Sequence, residues 1–376
     1  MSNASRIINP DRTKPWNDLP DLPPKEERYQ DIELFKSLGR AKEQLGLLNG
    51  RSMALPDPGL LVNTIALQES KASSEVENIF TTEDDLYRAY SEDKDERGLD
   101  PSAKEVLRYR EAIWTGQNLL NEQQEFSTDY FIELYRVIND ATDGIRPDFS
   151  RTVIKQSGTG PNAGKVKYTP PRGDGIVEKK LAALVQFLNS NDLIDEPLLK
   201  MIFAHYQFEA IHPFRDGNGR VGRILNLHIL TKENLLEYPI LYISRYINRH
   251  KDEYYENLAE VSQSGNWKSL LLFMLRAVEH TAREAFIMIN DIIEAHNVML
   301  NLMMSKTDIR KPNLLADAIF RQPYTKVSHL TDAGIYSENT ARNYLNKIAA
   351  MNLVEKKMIS GRYYYLNNEL ISILGG

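Results

Sequence analysis

Apolar residues recur with helical spacing along most of the chain. From residue 33 to about 48, Leu34, Phe35, Leu38, Ala41, Leu45 and Leu48 return every three or four positions, which predicts a helix closed by Asn49-Gly50. The same spacing predicts helices over 62–80, 102–116 and 128–139, with Thr81-Thr82-Glu83-Asp84 as the exit of one and the cap of the next. Helices resume near Val177 and again at Leu198, where Pro197 suits a first-turn position and Asp195 a cap; the period then runs to about Leu302. Two stretches break the pattern. Pro10, Pro15, Pro20, Pro23 and Pro24 read as an extended arm, with Trp16, Leu19 and Leu22 as its anchors. Within 151–171, Val153-Ile154 and Val166/Tyr168 flank a turn cluster at 157–162, which reads as a β-hairpin.

The polar stretch 305–312 lacks periodicity and reads as a linker. Beyond it, Pro312 opens a helix carrying Leu314, Leu315, Ala318 and Ile319, and Thr325 caps a short second one with Val327 and Leu330. Ala333-Gly334-Ile335 is the turn into a third helix, capped by Ser337, with Ala341, Tyr344, Leu345 and Ile348 on its apolar face. Leu353-Val354 and Tyr363-Tyr364-Tyr365 are strands around Ser360-Gly361. The expected fold is mainly α: a helical bundle with a β-hairpin flap, followed by a winged helix-turn-helix. The expected divisions are 1–103, 104–304 and 305–376.

Composition narrows the class. The 376 residues are 42% hydrophobic and 26% charged, which is ordinary for a globular protein and excludes a collagen-like or mostly disordered chain. The longest clean apolar run, 270–275, is far short of the ~20 residues a bilayer span needs, so no membrane segment is expected. No signal peptide is expected either. With 0 cysteines there is no thiol chemistry and no Cys-ligated metal, in keeping with a cytoplasmic location. The net charge of −6 is uneven: residues 305–376 carry +4 and the remainder −10. If the C-terminal unit binds DNA, Asn339, Arg342, Asn343, Asn346 and Lys347 face the major groove, with Lys356, Lys357 and Arg362 on the wing. The competing reading is a protein-interaction or dimerisation module.

The chemistry concentrates at 211–223, which reads IHPFRDGNGRVGR. Pro213 disfavours helical geometry at His212, and apolar periodicity restarts at Val221, so Asp216-Gly217-Asn218-Gly219 lies at the N-terminus of a new helix. Such a terminus offers free N–H groups and the positive end of a dipole to an anion. Gly217 and Gly219 allow close backbone approach, Asn218 offers side-chain donors, and Arg220 and Arg223, three apart, share a face. Two guanidinium groups there suit a polyphosphate. Asp216 is a hard oxygen ligand for Mg²⁺, and His212 is a base within the loop. A calcium loop is excluded because Leu227 stands where its twelfth-position Glu would be. A zinc site from His205, Glu209 and His212 is disfavoured because Pro213 ends the shared helix and no HExxH is present.

These residues resemble the complete HxFx(D/E)GNGRxxR signature of Fic-domain proteins, matching at all eight specified positions. Tyr168-Thr169-Pro170-Pro171 is similar to the end of that family's flap, Asn17-Asp18-Leu19-Pro20 to its N-terminal arm, and Tyr254-Tyr255 and Trp267 to its later helices. The resemblance implies a protein adenylyltransferase that moves AMP from ATP to a Ser, Thr or Tyr hydroxyl of a target protein or of the chain itself. His212 would be the general base and Asp216 the Mg²⁺ ligand. Gly217, Asn218, Gly219, Arg220, Gly222 and Arg223 would bind the nucleotide, Phe214 would pack, and the flap would align the target segment. Tyr255 would border the adenine, or simply pack in the core. Kinases of this fold carry Lys in place of Gly219, so the glycine favours adenylyl transfer.

Ser73-Ser74-Glu75-Val76-Glu77-Asn78 resembles the (S/T)xxxE(G/N) inhibitory helix of the same family. This implies that Glu77 pairs with Arg223 and denies it to the γ-phosphate, with Ser73 tying the helix in place. In some relatives the same Glu positions a water for removing AMP, so brake and eraser both stay open. A DNA-binding regulator that uses the Fic domain as a nucleotide sensor, and a homodimer, are open as well.

Overall fold

The computed structural model describes residues 11–26, 31–53, 58–91 (58–63 as backbone only), 100–155, 164–190, 192–359 and 361–375. The predicted turn cluster at 157–162, Pro10 and Ser360 lie outside the described residues. The chain begins with helices α1 (Ile32–Met53), α2 (Pro58–Val76), α3 (Glu83–Ser91), α4 (Pro101–Gln123) and α5 (Thr128–Asn139). A hairpin follows, β1 (Ile154–Lys155) and β2 (Val166–Tyr168), antiparallel with Ile154 opposite Tyr168. Next come α6 (Ile176–Asn189), α7 (Pro197–Ile211), α8 (Asn218–Lys232), α9 (Ile243–Arg249), α10 (Lys251–Ser264) and the long α11 (Trp267–Lys306). The C-terminal unit contains α12 (Pro312–Phe320), β3 (Tyr324–Thr325), α13 (Val327–Asp332), α14 (Glu338–Ala350), β4 (Glu355–Ile359), β5 (Arg362–Leu366) and α15 (Asn368–Gly375). Its antiparallel sheet has the order β3-β5-β4.

The central element is α7, which is buried almost all round, from Leu198 to Ile211. A helix apolar on every side has to be wrapped by others. Here α8, α6 and α11 pack against it. Its sequence explains its start, with Pro197 in the first turn; the cap is Glu196, whose carboxylate accepts from Leu198 N–H, rather than Asp195. Helix α5 runs over the predicted residues, capped by the Ser127 hydroxyl.

Tertiary packing extends two helices past their sequence stops. Helix α1 continues through Asn49-Gly50 to Met53 because it lies along α11, where Arg51 donates to Asn290 at 2.7 Å, and Asn49 accepts from Glu237 N–H. Helix α4 continues through Gly116 to Gln123. Gly116 is a contact point: an added Cβ would stand 2.5 Å from His228 Cε1 and 2.9 Å from Leu134 Cδ2. In the opposite direction, α2 stops at Val76 rather than 80, for a reason that belongs to the site. In the C-terminal unit Thr325 belongs to a buried strand, and Lys326 takes the cap position of α13.

The N-terminal arm is anchored as its apolar residues suggest. Trp16 and Leu19 are buried, and Trp16 N–H donates to Thr169 O at 3.1 Å while its ring meets Tyr168 edge-on. Gln207 on α7 donates to Pro20 O, and Asn17 accepts from Arg172 N–H. The arm thereby fixes the base of the hairpin against α7. No helix among the described residues is long and apolar enough to cross a membrane.

Substituting Gly116→Ala tests the α4–α8 contact. Helix propensity favours alanine by about 1 kcal/mol. His228 is pinned by Tyr130 Oη at 2.6 Å and Ile113 O at 2.9 Å, so it cannot yield to a new methyl. Overpacking of about 1–3 kcal/mol wins, and the urea midpoint of the variant falls.

Candidate active site

The site is built at the junction of α7 and α8. Helix α7 ends at Ile211, and His212 caps it in the left-handed region at φ 51° and ψ 59°. Pro213 allows no further helix, so the chain turns through Phe214-Arg215-Asp216 into the N-terminus of α8. Three ties hold this turn. Phe214 is buried and stacks on Tyr135 at 4.5 Å between ring centres. Asn218 is buried and bonds Phe214 twice, its Oδ1 accepting from Phe214 N–H and its Nδ2 donating to Phe214 O, each at 2.9 Å. Arg146, buried between α5 and β1, donates to His212 O at 2.7 Å, Ile211 O at 3.3 Å and Pro171 O at 2.5 Å. The sequence reading expected Asn218 to donate to a phosphate. Its side chain instead staples the loop, and the N–H groups at the start of α8 are what the loop offers an anion.

Gly217 sits at φ 74° as the N-cap of α8, where an added Cβ would meet Asn139 Nδ2 at 2.6 Å. His212 stands in a desolvated position; burial, aided by the nearby Arg146, lowers it to about 4, so the ring is neutral at pH 7. Asp216 projects outward with its side chain 84% exposed, and one of its oxygens accepts from Gly217 N–H at 2.7 Å.

The two arginines of the motif are buried but held separately. Arg220 donates to Glu105 on α4 at 3.2 Å and to Asn139 on α5 at 3.1 Å. Arg223 turns to α2: it donates to Ser73 Oγ at 2.8 Å, to Ser73 O at 3.0 Å and to Glu77 Oε1 at 2.8 Å. Burial alone would lower Arg223, but Glu77 holds it firmly protonated; burial alone would raise Glu77, but Arg223 holds its carboxyl below the usual range. The expected pairing of Ser73 and Glu77 with Arg223 is therefore present in the geometry.

The local backbone explains how Glu77 arrives there. Asn78 adopts φ 64°, and Glu77, Asn78 and Ile79 donate back to Ser74 O, Glu75 O and Ser74 O. This left-handed termination ends α2 four residues short of the periodic pattern and turns Glu77 over the start of α8. Asn or Gly suits the following position because left-handed backbone is required there. Glu77 comes so close to α8 that a Cβ on Gly219 would lie 2.3 Å from Glu77 Oε1. The space over Gly219 is filled by the Glu77 carboxylate.

Sequence reasoning missed Glu105, Asn139, Arg146 and Glu69, and weighed Glu209 only as a metal ligand. Glu69, on α2 two turns before Glu77, accepts from Tyr109 Oη at 3.0 Å, from Ser244 N–H at 3.1 Å and from the Ser244 hydroxyl. Glu209, on α7, lines a cleft under the flap with Ile154, Tyr168, Tyr255 and Leu258. Tyr255 is half-buried in that wall, so it both packs and faces the cleft. His205 has no metal-ligand geometry: its ring bonds Gly222 O at 3.0 Å and Tyr254 Oη at 2.7 Å. No group of three metal-ligating side chains occurs among the described residues.

The exposed face of α14 departs from the groove-facing expectation. Asn346 accepts from Lys356 and Tyr365, Arg342 donates to Glu338 at 2.5 Å, and Lys347 pairs with Asp308. Three of the five predicted groove residues are engaged within the chain: Asn346 by the β4-β5 hairpin, Lys347 by Asp308, and Arg342 by Glu338 one turn back on α14 itself.

Two measurements probe the α2 contact. Gly219→Ala displaces the Glu77 carboxylate; loss of a partly buried ion pair loosens the end of α2, and amide exchange over 73–78 rises by about tenfold or more. Glu69 is raised by burial to about 7, against 4.5 for a free Glu. Its contribution is complete below pH 4.5 and is lost as pH rises through 7. Glu69→Gln removes that loss, so its melting temperature declines less between pH 5 and pH 8 than that of the wild type.

Three stretches of the chain match family models: the Fic/DOC family N-terminal region at 35–118, the Fic/DOC family at 125–230, and the C-terminal domain of SoFic-like protein adenylyltransferases at 306–370. The protein adenylyltransferase Fic of Aedes aegypti is 23% identical over 268 residues, 67% of this chain and 48% of that one. Its counterpart in Nematostella vectensis is 29% identical over 180 residues, 47% of this chain and 38% of that one. The chain thus spans half or less of the length of these curated relatives. The crystal structure of a Fic family protein from Desulfovibrio desulfuricans G20 superposes with a TM-score of 0.54 at 20% identity, covering 88% of this chain and 95% of that one. Fic-1 of Caenorhabditis elegans gives 0.52 at 19% identity, covering 70% and 75%. At these identities the likeness of structures speaks for the fold, and the three matched regions speak for descent. With all three in order and the HPFRDGNGRVGR motif complete at the α7–α8 junction, the chain belongs to the Fic family.

Proposed function

We propose that this protein transfers AMP from ATP to a hydroxyl side chain of a protein substrate, and that Glu77 restrains the reaction. The observation that carries this reading is the meeting, at one helix junction, of a neutral imidazole, an anion-receiving helix N-terminus and a buried guanidinium. The phosphates lie over the first turn of α8, on the N–H groups that follow Gly217, with Arg220 and Arg223 alongside. The base enters the cleft between Tyr255, Leu258 and Ile154. The acceptor hydroxyl oxygen bonds to the α-phosphorus while its proton passes to His212; the bond from that phosphorus to the bridging oxygen breaks, and pyrophosphate leaves. His212 suits the task because burial keeps it unprotonated at pH 7.

Asp216 would hold Mg²⁺. Its carboxylate is exposed, and no other acidic side chain joins it in a metal cluster among the described residues, which fits an ion bound chiefly by phosphate and water. Such an ion would supply charge neutralisation of the polyphosphate. The restraint follows from occupancy: Arg223 cannot serve a γ-phosphate while it donates to Glu77 and Ser73, and the Glu77 carboxylate fills the space over Gly219. Target proteins with hydroxyl side chains, including a second copy of the chain, are the proposed substrates. The engaged side chains on α14 favour a protein-contact role for the C-terminal unit over DNA binding.

Intact mass after incubation with Mg²⁺ and ATP tests both parts. Glu77→Gly gains AMP-sized increments on itself or on added lysate proteins, at least tenfold more than the wild type. His212→Ala in that background gains none while still binding ATP. Transfer that survives His212→Ala overturns the general-base assignment; equal transfer with and without Glu77 overturns the restraint.

A further inference from the structure

Glu209 is a buried acid that the proposed transfer chemistry does not use. It stands one turn before His212 on α7, and its Oε1 is out of solvent with no hydrogen-bond partner. Two other acidic residues near the site are satisfied: Glu69 on α2 by Tyr109 and Ser244, and Glu77, just past the end of α2, by Arg223. An unmatched buried carboxyl oxygen is costly, about as costly as a lost hydrogen bond to a charged group, unless the carboxyl takes up a proton or a donor reaches it from the cleft. Room for it is made by Gly222, whose Cβ, if present, would lie 2.7 Å from Glu209 Oε1.

The surroundings define what kind of donor. Glu209 lines a cleft with Ile154 and Lys167 on the flap, Tyr206, Tyr255, Leu258 and Ser262, whose mainly apolar and aromatic walls suit a heterocyclic ring. Glu209 also packs against the first turns of α8: its Oε1 faces Gly222, three residues after Gly219, over which the Glu77 carboxylate lies. A nucleotide anchored by its phosphates at α8 brings its base to this carboxyl.

We propose that Glu209 reads the exocyclic amine of the adenine base, and so sets the preference of the site for ATP over nucleotides that lack this donor. The inference rests on the AMP-transfer reading and adds a specificity residue to it. Burial also raises the carboxyl to about 7. In its protonated form it offers one donor and one acceptor, the complement of an adenine amine beside a ring nitrogen, as an amide side chain does.

The test is competition binding to the full chain with Mg²⁺, comparing ATP with purine riboside triphosphate, which differs only by lacking the amine. The wild type prefers ATP by about tenfold, the scale of one buried hydrogen bond. Glu209→Gln, which keeps a donor and an acceptor, retains most of that preference. Glu209→Leu binds the two nucleotides alike. A Leu variant that loses affinity for both but keeps the tenfold ratio overturns the inference, because its role would then be structural. If the wild type binds the two nucleotides equally while Glu77→Gly still transfers AMP, Glu209 does not read the amine and the transfer reading stands. If Glu77→Gly, with the restraint removed, binds neither nucleotide, both fall. The wild-type comparison decides the matter even where Glu209→Leu fails to fold.

Discussion

A buried guanidinium organises this molecule. Arg223 is 2% exposed, and a charge so far from water has to be matched by acceptors within reach. Ser73 and Glu77 supply them, so the α8 helix and the end of α2 are held to each other by one cation. The rest of the local architecture follows from this contact. Gly219 has no side chain because Glu77 needs the space, and Asn78 takes left-handed geometry because α2 must stop and turn for Glu77 to arrive. Glu69, further back on α2, fixes the same helix to α4 and α9. In the proposed reaction a γ-phosphate would compete for that guanidinium.

A second set of ties keeps the catalytic loop rigid. Arg146 joins the carbonyls at the end of α7 to the base of the flap, and Asn218 closes the loop on Phe214. The N-terminal arm adds Trp16 against Tyr168 and Thr169. The C-terminal unit reaches the same region from the far side. Tyr324 donates to Asp84 at 2.5 Å and stacks obliquely near Tyr87, while Lys71 of α2 pairs with Glu83 of α3 at 3.2 Å. The helix that bears Glu77 is thus packed between the core and, through α3, the C-terminal unit. Apart from Asn218 on Phe214, these ties begin outside the motif.

The motif at 212–223 was legible because its chemistry is local. A loop-to-helix junction can be read from Pro213, two glycines and the return of apolar periodicity, and its charge from neighbouring letters. Ser73 and Glu77 were legible for a different reason: they form a short string with a recognisable resemblance. Glu105, Asn139, Arg146 and Glu209 were not, because each acts across more than one element and stands in its own helix or loop as an ordinary polar residue. The same holds for the ends of α1 and α4. Asn49-Gly50 and Gly116 are stop signals worth about 1 kcal/mol each, and packing along α11 and against His228 outweighs them.

The sequence by itself determined the helical class, the hairpin and the loop-to-helix junction at 212–219, since all of these depend on periodicity and on residues adjacent in the chain. Only the tertiary structure decided that Glu77 meets Arg223 and Glu105 meets Arg220, that Asn218 staples the loop, and that Asn346 and Lys347 are engaged within the C-terminal unit. The physical reason is that a charge buried by folding takes its partner from whatever the fold brings within about 3 Å, and neither composition nor spacing records that distance.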